Sequence, residues 1–125
     1  MSTLRYTRDH EWLRLEADGT VTVGITDYAQ EQLGDIVFIE LPALGTVIDP
    51  TANLVVIESV KAVGEVKVAI AGTIVAINQQ LADAPELVNS AAENAGWLVR
   101  IAAHDPGALD AMLDSAAYQA YLASL

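Results

Sequence analysis

The sequence has no cysteine, which excludes disulfides, thiolate metal sites and a cysteine nucleophile; any sulfur redox chemistry would have to be imported on an attached group. Cations are scarce. Six Lys and Arg stand against 17 Asp and Glu, a formal net charge of -11 that opposes binding to phosphate backbones or anionic lipid and favours solubility. Neither nucleic acid nor a membrane surface is expected as a partner. Aromatic residues make up only 6% of a chain that is 53% hydrophobic, so the core is left to Val, Ile, Leu and Ala. The opening MSTLRYTRDHEW has no apolar signal core, and no later run sustains about 18 uncharged apolar residues. A soluble, cytosolic chain is expected. Its 125 residues suffice for one sizeable core, hence a single domain spanning 1–125.

What is present is mostly β. Short apolar runs alternate with period 2 through the first hundred positions: Val21, Val23 and Ile25; the near-continuous Ile36 to Leu41; Trp97, Val99 and Ile101. Asp18-Gly19, Leu41-Pro42, Asp49-Pro50, Gly64, Gly72 and Gly96 supply the punctuation. Three helical insertions interrupt the pattern. Thr26 caps a helix from Asp27 to Leu33 that stops at Gly34, a good left-handed residue. Asp83, with Glu86 three positions on, predicts a second short helix ending near Asn89. Asp105-Pro106 opens a terminal helix carrying Leu109, Met112, Leu113 and Ala116. A second set, Tyr118, Tyr121, Leu122 and Leu125, is out of phase, so a break is expected near Asp114-Ser115, with the helix clamped over one end of the sheets.

Only two lysines occur, Lys61 and Lys67. Leu54 to Ile57 is apolar, polar residues appear at Glu58, Ser59 and Lys61, and Gly64 lets the chain reverse, which predicts a hairpin with Lys61 at or near its tip. An ordinary solvated lysine would suit such a turn. So would an acylated one, because acylation adds reach and removes charge, whereas Schiff-base chemistry needs a desolvated amine that an exposed tip does not offer. Lys61 also falls between two similar segments, Ala43 to Ile48 and Ile70 to Val75, where a fold of two related halves would place its connecting turn.

Glu58-Ser59-Val60-Lys61-Ala62 resembles the lipoyl-attachment motif of the glycine cleavage system H proteins. His10-Glu11-Trp12, Val23 to Ala29, Leu33 to Phe38, Glu40-Leu41-Pro42, Pro85 to Asn89 and Gly96-Trp97-Leu98 follow that family in order, so the resemblance covers nearly the full chain. Biotin carriers usually flank their lysine with methionines; Val60 and Ala62 stand here instead. The resemblance implies a barrel-sandwich hybrid, the lipoyl/biotinyl-like arrangement of two antiparallel sheets with short helices and a C-terminal helix. It implies lipoate in amide linkage to Lys61, and a carrier that is not an enzyme. It also implies a shuttle in glycine catabolism and one-carbon metabolism, which moves an aminomethyl group from the pyridoxal-phosphate glycine decarboxylase to the tetrahydrofolate-dependent aminomethyltransferase. Dihydrolipoyl dehydrogenase and lipoate-attaching enzymes complete the implied partners, and a monomer is expected. A scaffold that relays its lipoyl group to other enzymes would carry the same motif.

Carried over from the family, a cleft that shelters the loaded arm falls to Glu11 and Glu65, with His10 nearby. His10-Glu11 is a poor metal site, since His104, the only other histidine, lies far along the chain without ligand spacing. The absence of Cys, of a His-centred triad and of a phosphate loop agrees with no catalytic centre. Two segments depart from the family pattern: Lys67-Val68-Ala69-Ile70, and Ser90 to Ala95, which is expected to shape the cleft mouth. Asp105, Asp110 and Asp114 read as caps and a solvated helix face, Asp83 and Glu86 as cap residues, and Trp12 and Trp97 as core or cleft-wall aromatics.

Overall fold

The computed structural model describes residues 3–50, 54–67 and 70–125; Val68 and Ala69, part of one segment expected to be atypical, lie outside the described residues. The period-2 runs become strands. β1 (Thr3–Tyr6), β2 (Glu11–Leu15) and β3 (Thr20–Ile25) form a meander, and α1 (Asp27–Leu33) then carries the chain to β4 (Ile36–Glu40). There follow β5 (Val47–Ile48), β6 (Val55–Ser59), β7 (Val63–Val66) and β8 (Gly72–Ile77), the single-turn helices α2 (Gln80–Asp83) and α3 (Leu87–Ser90), β9 (Val99–Ala103), a 3-10 helix (Pro106–Ala111) and α4 (Ser115–Ala123). The strands make a six-stranded sheet in the order β1-β2-β3-β9-β8-β5 and a three-stranded sheet in the order β4-β6-β7. Every pairing among the described residues is antiparallel. This is the expected mainly β architecture of two sheets with short helices and a C-terminal helix; neither sheet closes on itself among the described strands.

The inner faces share one core. Leu13, Val21, Val23 and Ile101 from the large sheet meet Ile39, Val55, Ile57 and Val66 from the small one, with Leu81 and Val88 of the short helices sealing the side. Each such side chain stabilises the fold by about 1.5–3 kcal/mol relative to exposure, which is how so few aromatics suffice. The two similar segments prove to be partners. Val47 pairs with Thr73 and Ile48 with Gly72 in antiparallel register, and the β6–β7 hairpin that bears Lys61 spans the sequence between them.

Several local expectations need correction. Thr26 does cap α1, accepting a hydrogen bond from the Ala29 N–H at 3.3 Å, but Gly34 has φ 81 with ψ -155, a glycine-only conformation outside the left-handed helical well. Asp83 ends α2 instead of starting a helix, and Glu86 precedes α3 without a side-chain capping bond. Pro85 is the reason: it pushes Ala84 out of helical backbone, to φ -136 and ψ 65, and splits one predicted helix into two turns. Gly64 does not reverse the chain; it sits inside β7 opposite Ile57, where a Cβ would come within 3.2 Å of Leu33. Gly72 likewise lies in β8.

The terminal segment breaks where the apolar phase changes. Asp105 accepts from the Gly107 N–H at 3.2 Å but opens a 3-10 turn, and Met112 is extended. Leu113 bridges to Tyr6, then Asp114 caps α4 through the Ala117 N–H at 2.8 Å. Leu109 belongs to the main core. Tyr118 instead stacks on Tyr6, with ring centroids 4.5 Å apart, in a small second cluster with Trp12.

Candidate functional site

The turn that presents Lys61 is closed by Ser59. Its N–H donates to the Ala62 carbonyl at 2.8 Å, while its hydroxyl oxygen accepts from the N–H groups of Ala62 at 3.0 Å and Lys61 at 3.3 Å. A serine suits a reversal in this way because its hydroxyl accepts from backbone N–H groups that have no ladder partner at the turn. Lys61 is exposed, as expected, yet it does not stand free of the body. The Val60 N–H donates to the Asp35 carbonyl at 3.0 Å, and the lysine stem passes over Gly34 so closely that a Cβ there would lie 3.1 Å from Lys61 Cε. The 34–36 turn is itself held by Asn89, whose Nδ2 donates to the Gly34 carbonyl at 2.9 Å and whose Oδ1 accepts from the Ile36 N–H at 2.9 Å.

Beside the hairpin, between β7 and the start of β2, lies a cleft of about 200 Å³. Ile25, Ala29, Leu33, Ile57 and Val66 line its apolar wall; Asp9, His10, Glu11, Gln32 and Glu65 supply its polar groups. Glu11 is only 3% exposed. Its Oε1 accepts from the Thr7 hydroxyl at 3.2 Å and its Oε2 from the Lys67 N–H at 3.2 Å. Burial pushes this carboxyl up to about 7 despite those two donors, with Asp9 adding to the rise. Glu65 is exposed at the opening.

His10 has φ 67, a left-handed conformation that costs about 1–2 kcal/mol outside glycine. Two bonds hold it there: its N–H donates to the Thr7 carbonyl at 3.1 Å, and its carbonyl accepts from Thr26 at 3.0 Å. Its Nδ1 lies 2.9 Å from the Tyr118 hydroxyl, which lies 2.8 Å from Thr26 Oγ1. Burial lowers the His10 pKa, partly offset by Asp9. The imidazole, whose charged form burial disfavours, is thus a wall group of the cleft, tied to α4 through Tyr118.

The structure thus brings His10, Glu11 and Glu65 to one cleft, next to the hairpin of Lys61. Flanked by Val66 and Val68, Lys67 reads in the sequence as a strand residue, and the structure differs. It lies just past β7, exposed, and lines a second, more open part of the cleft with Asp9, Glu11 and Glu65. What separates it from Lys61 is position, not burial in a strand. Ser90 to Ala95 lines neither part of the cleft; Ala92 accepts from the Trp12 indole at 2.9 Å and Glu93 from the Asp27 N–H at 2.9 Å, so this loop braces β2 and α1 from behind. Sequence reasoning missed Ser59 as the organiser of the tip, although its place two residues before Lys61 was a usable signal. Asn89 and Gln32 gave none, since nothing local predicts which turn or cavity they reach. Among the described residues no three His, Asp or Glu side chains gather as a metal site, and no helix is long and apolar enough to cross a membrane.

A two-sheet β fold that lifts one exposed lysine on a fixed hairpin beside a cleft half apolar and half acidic defines a carrier protein. Residues 4–125 match the family model described as Glycine cleavage H-protein, and the chain belongs to that family. It is 51% identical over 119 residues to the glycine cleavage system H protein of Klebsiella pneumoniae subsp. pneumoniae, covering 95% of this chain and 92% of the relative. The glycine cleavage system H protein of Salmonella typhimurium is 50% identical over 119 residues, with the same coverage, 95% and 92%. Among solved structures, a glycine cleavage system H protein from Mycobacterium marinum is similar with a TM-score of 0.86 and 31% identity, over 98% of this chain and 97% of that one.

Proposed function

We propose that this chain is a single-domain, cytosolic, non-enzymatic shuttle of the glycine cleavage system, monomeric, with lipoate in amide linkage to Lys61. The observation that carries the reading is the fixed hairpin: a lysine at an exposed tip whose backbone is held by Ser59 and by the Asp35 carbonyl. When attached, the lipoyl group supplies a reducible disulfide on which an aminomethyl unit travels from glycine decarboxylase to aminomethyltransferase, with dihydrolipoyl dehydrogenase restoring the oxidised form. The chain's own residues do the rest. The apolar wall of Ile25, Leu33, Ile57 and Val66 suits a hydrocarbon arm and excludes water, while Glu11 and Glu65 offer carboxylates to an amine at its end. Glu11 is suited to that part because a buried carboxyl near neutrality is driven to its ionised form by an arriving ammonium, gaining a charge-assisted hydrogen bond.

Incubation of the apo protein with lipoate–protein ligase, lipoate and ATP should add one lipoyl mass, mapped by peptide sequencing to Lys61 alone, and Lys61→Arg should fold and carry nothing. Lipoate on Lys67, or on no residue, would overturn the assignment.

A further inference from the structure

Four of the large apolar side chains that the fold leaves exposed gather around Lys61: Val37 at 54%, Phe38 at 50%, Val60 at 70% and Val63 at 66%. Phe38 is the only phenylalanine in the chain. The register accounts for the cluster. Phe38 pairs with Glu58 and Glu58 with Val63, so all three side chains share one face, and because the next rung, Ile39 and Ile57, is buried, that face is the outer one. A bulge between Ile36 and Phe38 interrupts the alternation of β4; Ile36 and Ile39 point inward and both Val37 and Phe38 outward. Without it one of the two would belong to the core. The hairpin and the start of β4 are locked together by the Val60 to Asp35 hydrogen bond and by the contact of the Lys61 stem with Gly34, so the patch is one rigid surface drawn from two segments.

We propose that this outer face of the small sheet is the docking surface for the enzyme that acylates Lys61; the proposal rests on the attachment reading above. Any enzyme that takes the Lys61 amine into its active site must cover the residues around the tip, and this is the apolar ground continuous with it. The apolar wall of the cleft, with Leu33, Ile57 and Val66, lies on the inner side of the hairpin, and Glu65 at the edge strand is the one residue that the cleft shares with the outer face. Glu58 lies between Phe38 and Val63, and the next outward rung carries Glu40 and Glu65. The matching partner surface is therefore apolar at its centre with basic groups around it. A second copy of this chain fits poorly, since it would bring the same carboxylates and a further net charge of -11 against them.

The test uses the full chain in its apo form with purified lipoate–protein ligase. A Phe38→Ser, Val63→Thr double variant should lower kcat/KM of lipoylation by about tenfold or more, mainly through KM, with a parallel loss in direct binding to the ligase measured by calorimetry. Val75→Thr with Leu125→Ser, equally exposed apolar positions elsewhere, should match the parent. Acetylation of Lys61 by a small activated ester should proceed at one rate in all three proteins, and their thermal unfolding should coincide, which separates lost docking from lost folding. Equal ligase kinetics for the double variant and the parent would overturn the surface while leaving attachment intact. A parent that the ligase does not modify would remove both readings. Dimerisation of the parent that the same two changes abolish would assign the face to a second copy and overturn the proposal.

Discussion

At Glu11 the cleft holds a carboxyl away from water with two hydrogen bonds in place of a hydration shell. Its folded pKa of about 7 stands above the ordinary 4.5, so between these values the native state holds a proton that the unfolded chain has lost. Stability therefore falls as pH rises through that window and is lowest above it; the full difference amounts to about 3 kcal/mol. Glu11→Gln should flatten this slope, and urea unfolding at pH 5 and pH 8 would show it: the parent loses stability between the two and the variant does not. In the loaded protein the direction reverses, because an amine in the cleft stabilises the ionised form. Loss of the carbon unit should then quicken in the parent as acid protonates Glu11, at a pH below the empty cleft's value of about 7, while Glu11→Gln should lose it quickly without that step.

Among the elements, α4 reaches furthest from its own neighbourhood. Tyr118 stacks on Tyr6 and places its hydroxyl between His10 Nδ1 and Thr26 Oγ1, so the last helix steadies both the cleft wall and the cap of α1. Tyr118→Phe keeps the ring and removes the hydroxyl. It should destabilise the fold by about 1–3 kcal/mol, and nitrogen chemical shifts of the His10 ring should report a changed tautomer balance. This coupling shows where sequence reading stops. The break at Asp114 was legible because the apolar phase shifts, and the lysine hairpin because polar residues interrupt an apolar run. That Tyr118 meets His10 was not, since a contact between residues so far apart follows from the strand order. The split at Pro85 was legible in principle, but the Asp83 and Glu86 spacing drew attention away from the proline between them. Glu11 and Glu65 were reached through family resemblance, because a buried acid and an exposed one look alike as letters.

Taken as a whole, the molecule carries a net charge of -11, with Arg14 engaged by Glu16 at 2.9 Å. Enzymes that meet it should present basic entrances, and the rate of glycine–bicarbonate exchange with decarboxylase at subsaturating carrier should fall as salt rises from about 50 to 300 mM, while a flat response would remove charge steering from the account. The pairing of β1 with the end of the chain has a further consequence, for the order of events on the ribosome. Tyr6 is made before the lysine hairpin, and its partners Leu113 and Tyr118 after it. The lysine hairpin is synthesised midway between. During translation there is thus an interval in which residue 61 has emerged and the wall beside it has no backing. A ligase that requires the small sheet packed on the large one, β9 included, would leave the earlier of such nascent chains alone.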